Sequence, residues 1–223
     1  MISIRALHFQ YTDSDFALQV ERLAIGAGEA VAVVGPSGSG KTTLLNLLAG
    51  VLLPDSGQVQ VGAQQLSVLN DSARRNFRIK QLGMVFQNFE LLEYLSVLDN
   101  ILLPLRIGSG LEVTAQLRSR ATELAVHVGI GDKLKRYPSQ LSQGERQRVA
   151  VSRALLLQPS VVLADEPTGN LDPSNKTLVL DLLLDYARSH AATLVTVTHD
   201  QDLLQRFDRV LDFRELNQWD ARS

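Results

Sequence analysis

The stretch AVAVVGPSGSGKTTLLNLLAGV, Ala30 to Val51, constrains this chain more than any other. Five apolar residues run into a glycine-rich turn, and the turn runs directly into leucines at helical spacing. Gly35 to Thr42 reads G-x-x-x-x-G-K-[ST], which between a strand and a helix is a phosphate cradle. Its glycines let successive backbone N–H groups curl inward toward phosphate oxygens, and the following helix adds the positive end of its dipole. Gly35, Pro36, Ser37, Gly38, Ser39 and Gly40 make the loop, Lys41 is placed to reach the β- and γ-phosphates, Thr42 offers its hydroxyl to Mg²⁺, and Thr43 lies near the α-phosphate.

A second run, VVLADE, delivers Asp165 and Glu166 to the end of a buried strand. Beside a phosphate cradle such a pair divides the work: Asp165 holds Mg²⁺ through its water shell, and Glu166 polarises an attacking water. Further apolar runs at Leu82 to Phe86 and Thr193 to His199 suit strands covered on both faces, so the chain reads as α/β with a mostly parallel sheet flanked by helices. Alternating pieces at Ile2 to Phe9, Phe16 to Ile25 and Gly57 to Val61 predict a small antiparallel sheet. In the first of them Ile2, Ile4, Ala6 and His8 form one alternating set.

From Asn88 to about Gln158 the pattern turns helical. Ser96 to Asp99 is a capping box ahead of VLDNILLPL, Pro104 is expected to end that helix, and Gly108 to Gly110 punctuate before a helix around Val113 to Val128. The expected organisation is one domain over 1–223, with 1–87 and 159–223 forming a nucleotide-binding core and 88–158 an inserted helical subdomain. Only a brief tail is expected after His199.

The 223 residues are 45% apolar and 21% charged, with a net charge of −2 and no cysteine. These values suit a globular domain that buries a sizeable core, and exclude disulfides and thiolate metal sites. The opening MISIRALHFQY has strand periodicity rather than the apolar stretch of a signal peptide, and LLNLLAGVLLP is broken by Asn46 and well short of the ~20 residues of a bilayer-crossing helix. Any work at a membrane would need another chain in the lipid.

With both motifs placed, the chain resembles the ATP-binding subunit of an ABC transporter, over essentially its whole length. The resemblance implies a P-loop NTPase fold of ABC type and ATP and Mg²⁺ as cofactors. It also assigns roles to further residues. Gln87 in VFQNF is similar to the Q-loop glutamine, which touches Mg²⁺ and the attacking water. LSQGE resembles the signature motif, GNLD (Gly169 to Asp172) the D-loop, and His199 in VTHD the switch histidine at the γ-phosphate. Tyr11 lies where the family keeps an aromatic ring for stacking on adenine.

Ser142 to Glu145 is itself a capping box for the helix RQRVAVSRALLL. A helix start with a serine hydroxyl, a close-approach glycine and free N–H groups is also an anion site. In this family Ser142 and Gly144 would bind the γ-phosphate of ATP held by a second copy, in a head-to-tail homodimer with two MgATP. Gln143 stands where the family most often has glycine, and its side chain can point away from the phosphate.

The resemblance further implies an integral membrane permease contacting the region after Gln87, and a peripheral location on the cytoplasmic face of the inner membrane. The closest branch holds ATPases for lipoprotein release, macrolide and peptide export, and cell-division control. Two other readings stay open: an ABC-type ATPase acting on nucleic acid or ribosomes, and a nucleotide switch without turnover. ARRNFRIK, Ala73 to Lys80, is read as a solvated basic face, and the acidic net charge leaves no nucleic-acid partner expected. Glu166 argues against the switch.

Overall fold

A computed structural model describes residues 2–13, 15–108 and 110–219. The strands run β1 (Ile2–Gln10), β2 (Ala17–Ile25), β3 (Ala30–Val34), β4 (Ser56–Val61), β5 (Gln64–Gln65), β6 (Leu82–Val85), β7 (Val161–Asp165), β8 (Thr193–Val197) and β9 (Arg209–Asp212). The helices are α1 (Lys41–Leu48), α2 (Asp71–Gln81), α3 (Val97–Ile101), α4 (Leu103–Ile107), α5 (Ala115–His127), α6 (Gln143–Leu155), α7 (Pro173–His190) and α8 (Phe213–Leu216).

Two sheets result. The short Val-, Ala- and Leu-rich strands pair in parallel in the order β6-β7-β8-β3-β9, while β2-β1-β4-β5 form an antiparallel sheet. One apolar core joins the antiparallel sheet and α1 to the parallel strands, through residues such as Leu18, Val20, Leu44, Leu47, Val33 and Val195. A second packs α7 on Ala32, Val162 and Leu194, and a third gathers α3, α4, α5 and α6 around Ile101, Leu105, Ala121 and Val149. No helix among the described residues is long and apolar enough to cross a membrane.

The structure corrects the sequence expectations at five places. In β1 the inward set is Ile2, Ile4, Leu7 and Phe9, because Ala6 adopts φ 46° and a bulge shifts the register between Arg5 and His8. Gly57 makes room for it, since a Cβ there would collide with the Ala6 carbonyl. Pro104 does not end the helix: α3 stops at Ile101, and Pro104 sits in the first turn of α4, where its missing N–H is no loss.

The helix expected over Val113 to Val128 is the shorter α5, capped by the Thr114 hydroxyl. ARRNFRIK lies within α2 rather than forming a fully solvated face. Its Arg74 and Arg78 are half-buried and donate to the carbonyls of Leu69 (2.5 Å) and Gly50 (2.7 Å). Finally, the tail supplies an edge strand: β9 pairs with β3, and Phe213 just after it is 1% exposed within the first core.

Candidate functional site

Parallel strands end their carbonyl tips on one side, and open α/β sheets bind ligands there. Four ends converge in this molecule: β3 leads into the Gly35–Gly40 loop, β6 toward Gln87, β7 into Asp165 and Glu166, and β8 toward His199.

The loop turns through left-handed positions at Gly38 (φ 75°) and Gly40 (φ 103°), which glycine adopts without strain. A side chain at Gly40 would also collide with the Phe16 ring. Lys41, the first residue of α1 and only 7% exposed, folds back so that Nζ donates to the carbonyls of Gly35 (2.9 Å) and Pro36 (2.6 Å). The ammonium is thereby held against the start of the loop. Ser39 closes the turn, its N–H donating to the Pro36 carbonyl at 3.3 Å, with a buried hydroxyl that has no protein partner.

Beside this loop lies a cleft of about 370 Å³, lined by Ser37, Gly38, Gly40, Lys41, Thr42 and Thr43 together with Tyr11, Phe16, Gln87, Asp165, Glu166 and Val197. The Tyr11 hydroxyl is 3.1 Å from Thr43 Oγ1, and its ring packs edge-on against Phe9 and tilted toward Phe16. The Thr42 hydroxyl donates to Asp165 Oδ2 at 2.7 Å. Burial at the end of β7 raises the Asp165 carboxyl above its ordinary value, with the Glu166 charge adding; the Thr42 hydrogen bond and Lys41 oppose the rise.

Glu166 has φ 43°, a left-handed conformation that costs a non-glycine residue about 1–2 kcal/mol. Its N–H donates to Val197 O (2.9 Å) and its carbonyl accepts from Gly169 N–H (3.1 Å), which hold it there. One oxygen, Glu166 Oε2, then meets two partners: Gln87 Nε2 at 3.2 Å and His199 Nδ1 at 3.3 Å. Residues after three different strands thus converge on one carboxylate.

The donors around Asp165 are a hydroxyl, a carboxylate and the Gln87 amide, all hard oxygen ligands of the kind Mg²⁺ prefers, and a buried carboxyl of raised pKa is a group that a cation would relieve. The site therefore fits Mg²⁺, with Thr42, Asp165 and Gln87 as the residues that would hold it. The glycine loop and Lys41 fit a polyphosphate.

Ser142, Gly144 and Asp172 are not part of this cleft. They line another, with Gln143, Asn170, Leu171 and Asn175, and the two share no lining residue. Ser142 caps α6: its hydroxyl accepts from Glu145 N–H at 3.3 Å, and Glu145 Oε2 accepts from Ser142 N–H at 2.8 Å. Lys133 Nζ holds the same carboxylate at 3.3 Å. Asp172 caps α7, accepting from the Ser174 hydroxyl (2.6 Å), the Asn175 amide (2.6 Å) and the Asn175 backbone N–H (3.1 Å). These bonds, the Ser174 hydroxyl foremost, hold its carboxyl well below the usual range.

Sequence reasoning missed Phe16, Asn175 and Arg148. Asn175 joins the tips of the two helices, since a Cβ on Gly144 would press on its Oδ1, which accepts from Arg148 at 2.6 Å. Its one sequence signal is its place three residues after the Asp172 cap. Phe16 carries only its nearness to Tyr11 in the chain, because its contact with Gly40 joins distant segments.

Comparison with known proteins identifies the family. A family model described as ABC transporter matches residues 18–169. The lipoprotein-releasing system ATP-binding protein LolD of Xanthomonas axonopodis pv. citri is 45% identical over 193 residues, covering 86% of this chain and 78% of that protein. LolD of Legionella pneumophila is 41% identical over 218 residues, covering 96% and 95%. Among solved structures, the dimeric post-hydrolysis state of the ATP-binding cassette MJ0796 bound to ADP and Pi superposes with a TM-score of 0.86 at 31% identity, covering 95% of this chain and 94% of that one. The chain belongs to the ABC transporter family, and is an ATPase of the ATP-binding-cassette fold that takes ATP with Mg²⁺.

Proposed function

We propose that this ATPase is the motor subunit of a membrane complex for lipoprotein release, and that its two clefts are the halves of an active centre completed by a second copy. The observation that carries this reading is the separation of the clefts: the phosphate loop, Asp165, Glu166 and Gln87 line one, Ser142, Gly144 and Asp172 the other, with no residue in common. Two chains about a two-fold axis bring each Ser142 helix tip to the other's nucleotide. Solved dimers of the similar cassette MJ0796, one of them holding ADP and Pi, support that arrangement.

In this scheme the loop N–H groups and Lys41 grip the β- and γ-phosphates, and Tyr11 stacks on adenine. Mg²⁺, when bound, neutralises charge on the β- and γ-phosphate oxygens. Glu166 accepts the proton of the attacking water at Oε2, Gln87 orients that water, and His199 turns from Glu166 to the γ-phosphate. Ser142 and the N–H groups at the α6 tip hold the γ-phosphate from across the interface, and Asp172 keeps its helix tip in place beside them. Each charge-assisted hydrogen bond is worth roughly 1.5–3 kcal/mol, so two or three per site shift an open–closed balance by several kcal/mol. Loss of the γ-phosphate removes that difference, and the pair opens.

The LolD relatives support lipoprotein release as the branch. A membrane permease would contact the region after Gln87, where an apolar groove of about 260 Å³ is lined by Ile79, Met84, Phe86, Leu103, Pro104 and Ile107 among others. Docking there places the chain on the cytoplasmic face of the inner membrane, and makes 88–158 a lever between the groove and the Ser142 tip. The rival nucleic-acid reading is weakened: of the four cations in Ala73 to Lys80, Arg74 and Arg78 are bonded to backbone carbonyls and Arg75 pairs with Asp71 at 2.6 Å, which leaves the exposed Lys80.

Glu166→Gln tests the scheme. Turnover is expected to fall at least ~10²-fold while ATP still binds, and an ATP-dependent dimer should accumulate on size exclusion. A monomer at saturating MgATP, or undiminished phosphate release, would refute it.

A further inference from the structure

The segment after Gln87 carries an unusual backbone. Phe89 (φ 63°) and Glu90 (φ 48°) are consecutive non-glycine residues in the left-handed region, a conformation that persists only where the surroundings impose it. Their carbonyls are taken by one side chain from far along the chain. Arg153 Nη2 donates to Phe89 O at 2.6 Å and Nη1 to Glu90 O. The planar guanidinium gives each of the two neighbouring acceptors its own N–H in a rigid fork, whereas a lysine ammonium would have to share one flexible nitrogen between them.

Arg153 is 8% exposed, and burial pushes its pKa down to about 10, so it is still a cation at neutral pH. A buried cation needs partners, and the two carbonyls are its only recorded hydrogen-bond acceptors among the described residues. The far side of the same loop is also pinned. Asn100, fully buried, donates to the carbonyls of Leu92, Leu95 and Ser96 and accepts from Leu92 N–H.

Arg153 lies in the last turn of α6, whose first turn is the Ser142 tip. The helix is thirteen residues long, so the two ends stand roughly 20 Å apart on one rigid rod. At the other side of the clamp, Gln87 is two residues before Phe89 and holds Glu166 Oε2. Arg153 and Glu90 also line the apolar groove.

We propose that Arg153 is a positioning residue that fastens the strained Phe89–Glu90 turn to the Ser142 helix, so that movement of this helix on closure sets the position of Gln87 at Glu166. The inference rests on the reading of Gln87 and Glu166 given above. It adds a link: the helix tip that grips the twin's phosphate and the loop that faces the chain's own water move together. An occupant of the groove would press on the same turn.

The test compares kcat and KM for ATP in the full chain and its variants. Arg153→Met should lower kcat about tenfold while leaving KM within about twofold, because the phosphate loop is untouched and only alignment suffers. Arg153→Lys should recover less than half of the loss. Adding Glu90→Gly to Arg153→Met should raise kcat at least threefold, since glycine keeps a positive φ without a clamp. Wild-type kcat in Arg153→Met alongside an impaired Gln87→Ala overturns the clamp and leaves the site reading standing. Wild-type kcat in Gln87→Ala overturns both. An Arg153→Met chain that melts early, or loses ATP binding, and is not rescued by Glu90→Gly assigns the arginine to packing and overturns the proposal.

Discussion

The two clefts are built on opposite principles. In the first, the reactive groups stand at the ends of buried parallel strands, with Lys41 and Thr43 each 7% exposed and Asp165 raised in pKa by burial. In the second, the groups are helix caps facing solvent: Ser142 on α6, Asp172 on α7, and no lysine or arginine among the lining residues. The first carries its own cation and backbone donors, and is equipped to hold a polyphosphate alone. The second offers a hydroxyl and helix-end N–H groups beside an anionic carboxylate, a set with no cation of its own to capture a phosphate. On the proposed reading, preorganisation in the interior serves binding and incompleteness at the surface serves association.

Variants that separate the clefts test this contrast. The largest effect is expected from Lys41→Ala, which removes charge-assisted bonds worth roughly 1.5–3 kcal/mol each, so calorimetry should show ATP affinity at least a hundredfold weaker. Equal affinity would break the contrast. Ser142→Arg should leave the affinity of the single chain for ATP within about twofold, yet abolish ATP-driven pairing by light scattering, through a bulky cation at the second cleft.

A subtler probe is Gly144→Ala. Its Cβ would lie 2.6 Å from Asn175 Oδ1, displacing the amide that Arg148 and Asp172 hold, so pairing should weaken by about three- to tenfold with nucleotide binding intact. The smallest effect concerns the nucleotide-free protein. Asp165 has a folded pKa above its unfolded value, so its ionised form weighs against folding at neutral pH, and that penalty fades as pH falls through the folded pKa. Asp165→Asn should therefore melt no lower than wild type at pH 7, and about a degree higher, while losing hydrolysis. A clear drop on thermal scanning would show that the Thr42 bond outweighs the burial cost.

The same division explains what could be read in advance. The phosphate loop, the VVLADE strand and the Ser142 cap were legible because each is contiguous, and its chemistry follows from neighbours within a few residues. Gln87 and His199 were assigned by resemblance, and their meeting at Glu166 Oε2 required three strand ends to be laid side by side. β9 escaped notice since RVLD is short and lies at an edge, although pairing with β3 and the burial of Phe213 make it part of the core. Ala6 was placed on the wrong face although the bulge does mark the alternation: the large apolar residues shift phase from Ile2 and Ile4 to Leu7 and Phe9.

The amino-acid sequence by itself determined the chemistry: a glycine loop that must cradle phosphate, a lysine and a threonine at its end, paired acids at a strand terminus, and a capped helix start in LSQGE. Those are local properties, governed by backbone freedom and hydrogen-bonding geometry over spans of a dozen residues. Only the tertiary structure decided that the capped helix starts in a cleft of its own, away from the phosphate loop, and that its far end is tied by Arg153 to the turn after Gln87. The physical reason is that both facts depend on contacts between segments distant in the chain, Gly144 with Asn175 in the one case and Arg153 with Phe89 and Glu90 in the other, which arise from how the sheet and the helices pack and have no periodicity to announce them.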